Sequence, residues 1–135
     1  MNTVLILGAS RGIGFEFARQ YVQEGWRVLA TARDDQGCAK LQAIGAEAFK
    51  LDVAQPSSVS GLSWRLDGEK IDLALYVAGV MDRNSPKTPP TQEVFDELMH
   101  ANVLGAMQAL PQVAPWWQRR MARLHLSAAA CPVWH

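Results

Sequence analysis

The stretch Val4–Gly14 reads V-L-I-L-G-A-S-R-G-I-G and decides the fold of this chain. Its first four residues are apolar and predict a short buried strand, and the residues after it carry apolar side chains at helical spacing. Gly8, Gly12 and Gly14 lie between the two elements. A strand, a glycine-rich turn and a helix in this order bring the backbone close to a pyrophosphate and direct a helix N-terminus at it. The stretch therefore predicts a dinucleotide-binding turn.

Each glycine of this turn has its own expected task. Gly8 permits a tight turn after the strand, Gly12 lets the backbone pass close to a phosphate, and Gly14 lets the helix pack closely. The spacing G-x-x-x-G-x-G differs from the better-known G-x-G-x-x-G fingerprint, and the lysine of a nucleotide-triphosphate loop is missing. The alternative interpretation is a glycine-rich turn that binds no ligand. The other candidate cofactor-binding residues of the turn are Ser10, Arg11 and Ile13.

Composition limits the classes of protein to which this chain can belong. Its 135 residues correspond to one domain, 49% of them are apolar, and the formal net charge is zero. A neutral chain does not point to nucleic acid or an anionic membrane surface as its main partner. No apolar stretch approaches the ~20 residues of a membrane span. No basic region precedes the first apolar run, so a signal peptide is not expected.

The cysteines indicate the cellular compartment. Cys38 and Cys131 are the only two, and they lack the spacing of a metal or redox motif. We expect no metal site. Two thiols without a framework of disulfide bonds are typical of a protein in the reducing cytoplasm, so we predict a cytoplasmic location.

Strand and helix patterns alternate along the chain. Strands are predicted over residues 4–7, 27–31, 46–51, 71–77 and 123–127. Helices are predicted over residues 12–24, 36–44, 56–66 and 92–118, the last one bending near 102–105 and near Pro111. Residues 83–90 hold three prolines and are predicted to form a loop.

This alternation is typical of a parallel sheet with helices on both of its faces. Right-handed crossovers give the strand order 3-2-1-4-5, which is an open α/β sheet of the Rossmann type. The order reverses between the first and the fourth strand, and such sheets bind ligands in the crevice at the C-terminal ends of the strands. We therefore expect one dinucleotide-binding domain over residues 1–135, with the glycine turn at the mouth of this crevice.

Three further motifs accompany the glycine turn. Asp52-Val53 follows the third predicted strand, Ala78-Gly79 follows the fourth, and Asn102 lies in the long helix. Together with the turn they resemble the short-chain dehydrogenase/reductase family over residues 1–115. The resemblance implies hydride transfer between a nicotinamide cofactor and a small carbonyl or alcohol. It also implies an adenine contact at Asp52-Val53 and a catalytic-site role for Asn102.

These motifs also have structural interpretations. Asp52 can serve as a loop or helix-capping carboxylate, and Asn102 can be a mid-helix polar residue that causes a kink. The family's Asn-Asn-Ala-Gly motif reads Tyr76-Val77-Ala78-Gly79 in this chain. The hydrogen bonds that the two asparagines make to neighbouring strands are therefore in question here.

The choice of cofactor depends on the residue after the second strand. An acidic residue there would bind the ribose hydroxyls of NAD, but the sequence has Arg33, whose planar donor fork suits the 2′-phosphate of NADP. Arg11 in the glycine turn can reach the same phosphate. Asp34 and Asp35 are interpreted as the start of the next turn or helix. We predict NADP(H) rather than NAD(H), and the alternative is that both arginines are solvated surface residues.

The proton-transfer pair that the resemblance implies is not found in these 135 residues. In the family, a tyrosine supplies the proton and a lysine four residues later assists it. At that distance Tyr21 is followed by Gly25, and Tyr76 is followed by Val80. Ser127, after the fifth predicted strand, is the candidate for the family's substrate-orienting serine. We expect cofactor binding at best, with little or no turnover.

The resemblance stops near Pro115, and residues 116–135 differ in composition. All thirteen acidic residues lie at or before Glu97, and three arginines are the only fixed charges after it. We interpret residues 116–135 as a divergent tail, either read in a shifted frame or belonging to a truncated product. The alternative is a naturally short relative with a divergent end.

Two other function classes compete with the oxidoreductase. The first is a non-catalytic NADP(H)-binding or interaction module. Separately, the helix over residues 103–114 is apolar nearly all round, so we expect it to pair with a second copy as a homodimer. The second is a methyltransferase on a similar sheet. A methyltransferase would carry an acidic residue at the end of the second strand, where this chain has Arg33.

Overall fold

The computed structural model describes residues 1–79, 89–117 and 123–126. Its strands are β1 (Thr3–Leu7), β2 (Arg27–Ala32), β3 (Glu47–Lys50), β4 (Leu73–Tyr76) and β5 (Arg123–Leu126). Its helices are α1 (Gly12–Gln23), α2 (Asp35–Ala43), α3 (Pro56–Val59), α4 (Leu62–Arg65), α5 (Gln92–Met99) and α6 (Gly105–Trp117). A π-helical turn, His100–Leu104, joins α5 to α6.

All strand pairs are parallel, and the strand order is β3-β2-β1-β4-β5. β1 lies at the centre, with β2 on one side and β4 on the other, so the order reverses between β1 and β4. The predicted strand order and the predicted parallel α/β class are confirmed. In the part of the chain that the structure describes, β3 and β5 form the edges of the sheet.

Alternate residues of β1 face opposite sides of the sheet and belong to two separate apolar clusters. Leu5 and Leu7 pack with residues of α3, α4 and α6, whereas Val4 and Ile6 pack with residues of α1 and α2. This is the two-residue period of a strand that is buried on both faces. Helices therefore cover both faces of the sheet, as the sequence predicted.

Hydrogen bonds beyond the sheet ladder join the C-terminal ends of β1, β2 and β4. The Ala9 N–H donates to the Thr31 carbonyl at 2.8 Å, on the β2 side. On the β4 side, the N–H groups of Val77 and Ala78 donate to the Leu7 carbonyl at 2.9 and 2.8 Å. The glycine turn after β1 is therefore held by both neighbouring strands.

A separate group of polar contacts joins the opposite ends of the strands. Arg27 at the start of β2 pairs with Glu69, which precedes β4, and with Glu47 of β3. The hydrogen bonds that the Arg27 guanidinium donates to Glu69 and Glu47 raise its pKa. The Thr3 N–H donates to the Asp72 carboxylate at 2.8 Å. These contacts fix the N-terminal edge of the sheet, at the end away from the glycine turn.

The predicted helix over residues 56–66 is wrong in its middle. The chain forms the two short helices α3 and α4 there, separated by Ser60 and Gly61. The Ser60 hydroxyl donates to the Ser57 carbonyl at 2.9 Å, and such side-chain bonds compete with the continuation of a helix. Val59 still packs in the apolar cluster that α6 covers.

The predicted single helix over residues 92–118 is also wrong, because α5, the π-helical turn and α6 replace it. The bend predicted near 102–105 coincides with the π-helical turn, where the regular hydrogen-bond ladder is interrupted. The helix α6 continues past Pro111. The other predicted elements are confirmed, with ends that differ by one or two residues.

Part of the sequence lies outside the described residues. Most of the predicted loop over residues 83–90, the candidate Ser127 and nearly all of the tail from residue 118 onward belong to this part. Among the helices that the structure does describe, none is both long and apolar enough to cross a membrane.

Candidate functional site

A cavity of about 610 Å³ lies at the C-terminal ends of the strands, where the order of the sheet reverses. It is lined by residues that follow β1, β2, β3 and β4, together with two residues of the α5–α6 region. Most of the predicted cofactor-binding residues line it, namely Gly8, Ser10, Arg11, Gly12, Arg33, Asp52, Val53, Ala78 and Gly79. Ile13 and Gly14, which follow Gly12 in the first turn of α1, are not among the lining residues.

Gly8 meets two requirements that exclude every other residue. Its φ angle is +91°, and a Cβ atom there would lie 2.5 Å from the Cα of Ala78. Only glycine adopts this conformation without strain and leaves room for the chain after β4. The Gly8 N–H also donates to the Thr31 Oγ1 at 2.9 Å, so this buried threonine at the end of β2 orients the turn. The sequence pattern gave no signal for this role of Thr31.

Gly12 and Gly14 have different surroundings. Gly12 has a φ angle of +59°, and a Cβ atom there would meet no atom within 4 Å. The space in front of Gly12 is therefore open, as an approaching phosphate requires. A Cβ atom at Gly14 would collide with the Gly8 carbonyl oxygen, so Gly14 brings α1 against the turn.

The N-terminus of α1 is free of side-chain caps. Arg11 is the N-cap residue with extended backbone, and its side chain makes no capping hydrogen bond. No acidic residue lies in the first turn of this helix. The unpaired N–H groups and the positive end of the helix dipole are therefore left for an anion from outside the chain.

Two arginines add positive charge to the same cavity. Arg11 and Arg33 both line it and are exposed, and within the described ranges neither forms an ion pair. Lys40 of α2 lies close by, because its Nζ donates to the Ser10 carbonyl at 3.3 Å and stands 4.3 Å from the Phe15 ring centre. The sequence pattern gave no signal for Lys40, whose position depends on how α2 packs.

The packing of α2 depends on Gly37, which the sequence analysis missed. A Cβ atom at Gly37 would lie 2.7 Å from the Cβ of Ala32 and 2.8 Å from the Cβ of Ser10. The start of α2 therefore lies directly against the glycine turn. The Asp34 carboxylate caps this helix by accepting from the Gly37 N–H at 2.7 Å, which agrees with its interpretation as a helix start.

Asp52 serves the loop after β3 and lines the cavity at the same time. Its Oδ1 accepts from the Ala54 N–H at 3.0 Å, and its own N–H donates to the Ser58 Oγ at 3.0 Å. The loop-carboxylate interpretation is therefore realised. An ionised carboxylate has about four acceptor sites, so a second hydrogen bond to a ligand is still available to it. Val53 beside it is buried.

Asn102 lies in the π-helical turn, and its neighbour Ala101 lines the cavity. Asn102 itself is exposed and is not among the lining residues. Insertions of this kind are frequent at functional sites in proteins. The π-helical turn agrees with the kink interpretation of Asn102, and its catalytic role stays a prediction.

Tyr76 holds the π-helical turn against the sheet. Its hydroxyl donates to the Ala101 carbonyl at 3.2 Å across 25 positions of sequence. Burial raises the pKa of the Tyr76 phenol to about 12, so the group stays protonated near neutral pH. A Cβ atom at Gly105 would lie 3.0 Å from this hydroxyl and 2.9 Å from the Val53 carbonyl, so Gly105 permits the close approach. Tyr76 thus makes a long-range hydrogen bond at a position where the family has an asparagine.

Glu97 is a charged lining residue that was not predicted from the sequence. It lies on α5 one helical turn before Ala101, and both residues line the cavity. Residues four apart on a helix lie on the same face, so Glu97 could have been inferred from Ala101. The sequence did not indicate that Ala101 lines the cavity, so this spacing was not informative. Ser127, the remaining predicted site residue, lies outside the described part of the chain.

Comparisons with known proteins agree on one family. The sequence model of the short chain dehydrogenase family matches residues 2–123. Sorbitol dehydrogenase of Cereibacter sphaeroides is 35% identical over 118 residues, which cover 84% of this chain and 46% of that protein. The NADPH-dependent pterin aldehyde reductase of Arabidopsis thaliana is 29% identical over 121 residues, which cover 84% of this chain and 50% of that protein.

Solved structures lead to the same family. A short-chain dehydrogenase/reductase from Burkholderia multivorans with bound NADP superposes with a TM-score of 0.83 at 28% identity. The superposition covers 93% of this chain and 57% of that one. The chain thus spans about half the length of the curated relatives that it matches. Because the family model matches nearly the whole sequence and the fold agrees, this chain belongs to the short chain dehydrogenase family.

Proposed function

We propose that this chain binds NADP(H) in the cavity at the C-terminal ends of β1 to β4. The observation that carries the proposal is the uncapped N-terminus of α1, which opens on the cavity that Arg11 and Arg33 line. A dinucleotide phosphate offers the anions that such a site lacks. Two similar proteins support the choice, since one is named as NADPH-dependent and the other was solved with NADP bound.

The pyrophosphate of the cofactor fits the glycine turn. Gly12 leaves open space in front of the backbone, and the first N–H groups of α1 have no side-chain acceptor. Phosphate binding at a helix N-terminus gains from both the free N–H groups and the helix dipole. We assign Gly8, Ser10, Ile13 and Gly14 to the shape of this turn.

The 2′-phosphate of NADP(H) fits the two arginines. A guanidinium fork can donate two parallel hydrogen bonds to a phosphate, and a charge-assisted bond contributes about 1.5–3 kcal/mol. Neither Arg11 nor Arg33 forms an ion pair within the described ranges, so neither has to leave a partner before binding. NAD(H) lacks this phosphate, so we propose that it binds more weakly.

For the whole protein we propose hydride transfer between the nicotinamide and a small carbonyl or alcohol. When bound, the cofactor supplies the hydride. The residues of this chain that we assign to the reaction are Asn102 and Ser127. No tyrosine in the 135 residues is followed four residues later by a lysine. We therefore propose that this chain holds the cofactor and has little or no turnover.

A second candidate function is a module that pairs with another subunit. A row of exposed apolar side chains on the α5–α6 region favours it: Phe95, Met99, Val103 and Met107, which are 49%, 42%, 42% and 66% exposed. Contiguous exposed apolar surface commonly marks a protein–protein contact. We propose that a homodimer forms through the helix over residues 103–114, with these side chains at the contact surface. A cytoplasmic location also stays a proposal, supported by the free thiol of Cys38.

A titration with NADPH and NADH tests the proposed function. We expect NADPH to bind more tightly than NADH, as measured by calorimetry or by cofactor fluorescence. Equal affinity for the two would refute the assignment of NADP(H), and the absence of binding by either would refute dinucleotide binding. Oxidation of NADPH with a panel of small carbonyl compounds would show turnover, whereas binding without oxidation would favour the non-catalytic module.

A further inference from the structure

We propose that Glu97 determines which base the dinucleotide site accepts, by accepting a hydrogen bond from the exocyclic amino group of adenine. This inference rests on the proposed function and deepens it, because it assigns a residue on α5 to the base end of the site. In this arrangement Glu97 acts together with Asp52, and the two carboxylates receive the two N–H bonds of the amino group.

The position of Glu97 depends on the π-helical turn that directly follows its helix and packs with it. Glu97 lies one turn before Ala101, and both line the cavity together with Asp52 and Val53. The Tyr76 hydroxyl holds the Ala101 carbonyl at 3.2 Å. This bond keeps the α5 side of the cavity beside the loop after β3.

Charge is divided between the parts of the cavity. The cations Arg11 and Arg33 belong to the glycine turn and to the end of β2, whereas Asp52 and Glu97 belong to the loop after β3 and to α5. A dinucleotide phosphate has the matching division, because its phosphates are anions and adenine presents an amino group. The acidic part of the cavity would repel a phosphate, so we assign the base to it.

Both carboxylates have acceptor capacity for a ligand. Within the described residues the Glu97 side chain makes no ion pair or hydrogen bond to the protein, and the Asp52 carboxylate uses one oxygen for the Ala54 N–H. An ionised carboxylate accepts hydrogen bonds and donates none. Adenine has an amino group at position 6, whereas hypoxanthine and guanine have a carbonyl oxygen there. A carbonyl oxygen in the place of the amino group would face two carboxylates, and all of these groups only accept hydrogen bonds. Asp52 and Glu97 therefore discriminate against hypoxanthine and guanine.

The test compares NADPH with its hypoxanthine analogue, the reduced nicotinamide hypoxanthine dinucleotide phosphate. The two ligands share the nicotinamide, the pyrophosphate and the 2′-phosphate. We expect the unaltered chain to bind NADPH about tenfold more tightly than the analogue, which is the size of one charge-assisted hydrogen bond. Calorimetry or cofactor fluorescence gives both dissociation constants.

Variants of Glu97 test whether this side chain causes the preference for NADPH over the hypoxanthine analogue. We expect Glu97→Gln to lower the preference for NADPH by about fivefold, because the amide N–H group can donate to the hypoxanthine oxygen. Glu97→Ala should weaken NADPH binding and remove one acceptor that faces the hypoxanthine oxygen, so it should lower the preference as well. Glu93→Gln is the matched control, since it removes the same charge from the same helix at a residue that does not line the cavity. It should leave the preference unchanged.

The outcomes separate this inference from the proposed function. Equal binding of NADPH and the analogue by the unaltered chain would overturn the role of Glu97, as would an unchanged preference in Glu97→Gln. In either case a preference for NADPH over NADH would leave the proposed function intact. If neither dinucleotide phosphate binds, both proposals are wrong. Glu97 is exposed, so we expect its variants to fold, and near-ultraviolet circular dichroism checks this.

Discussion

Tyr76→Phe is the most informative single change, because it removes one hydroxyl and retains the ring. Tyr76 is 3% exposed and its hydroxyl donates to the Ala101 carbonyl at 3.2 Å. The variant loses one neutral hydrogen bond and leaves a carbonyl of the π-helical turn without its side-chain donor. Removing the donor of one buried hydrogen bond, which leaves its acceptor unsatisfied, costs about 1–2 kcal/mol in total. We therefore expect the free energy of unfolding to fall by about 1–2 kcal/mol.

The assay is reversible thermal or urea unfolding followed by circular dichroism. For a chain of this size, a loss of 1–2 kcal/mol lowers the Tm by about 3–8 °C. Tyr21→Phe is the matched control. Tyr21 is half-buried and packs against Trp26 with ring centres 4.9 Å apart and the ring planes tilted by 59°, and within the described residues its hydroxyl makes no hydrogen bond. That variant should unfold like the unaltered chain. If Tyr76→Phe and Tyr21→Phe both unfold at the original temperature, the argument for the Tyr76 hydrogen bond is refuted.

The same variant has a characteristic dependence on pH. Burial raises the pKa of the Tyr76 phenol to about 12, above the usual value of about 10. Below pH 10 the phenol is protonated in the folded and unfolded states, so its contribution to stability is fully present. Between about pH 10 and 12 the unfolded chain loses the proton first, and stability falls by about 2–3 kcal/mol. Phenylalanine has no such proton, so the stability curves of the two proteins should converge above pH 10. Curves that stay parallel would contradict this reasoning.

Three further changes test the site and the apolar face. Arg33→Ala should weaken NADPH binding by about 10–100-fold in calorimetry and leave NADH binding nearly unchanged, because only NADPH carries the 2′-phosphate. Arg65 lies over the Phe49 ring, so the control variant Arg65→Ala should change the affinity for neither cofactor. A parallel loss for both cofactors in Arg33→Ala would show that Arg33 acts on the fold. Gly8→Ala should prevent stable folding. Gly68 also has a positive φ angle, +78°, but a Cβ atom there would meet no neighbouring atom, so Gly68→Ala should lower the free energy of urea unfolding by only about 1 kcal/mol. Similar losses for both variants would contradict the close approach of Gly8 to the chain after β4. Met107→Glu should convert the dimer into a monomer in sedimentation velocity, and a monomeric unaltered chain at high concentration would refute the dimer.

Local patterns were sufficient to predict most of the sheet. The apolar run at Val4–Leu7 and the other predicted strands carry a signal within a few residues, and right-handed crossovers then allow few strand orders. The glycines of the first turn were predictable for a related reason. The positive φ angles of Gly8 and Gly12 are properties of a single residue type, so the sequence reports them directly.

The errors occurred where local signals compete. The predicted helix over residues 56–66 is interrupted at Ser60, whose hydroxyl donates a hydrogen bond to the Ser57 carbonyl. The predicted helix over residues 92–118 contains a π-helical turn, because Tyr76 and Gly105 bring this segment against the end of the sheet. Helical periodicity cannot report a contact with a strand that lies 25 positions earlier.

The sequence by itself determined the parallel α/β class, the strand order, the glycine turn and the cations that follow β1 and β2. These features depend on residue type and on neighbours along the chain. Only the tertiary structure decided that Lys40, Gly37 and Glu97 belong to the region of the site and that Tyr76 bonds to Ala101. Their places result from the packing of α2 and α5–α6 against strand ends that are distant in sequence. Such packing is set by contacts across the whole core, and no window of a few residues contains them.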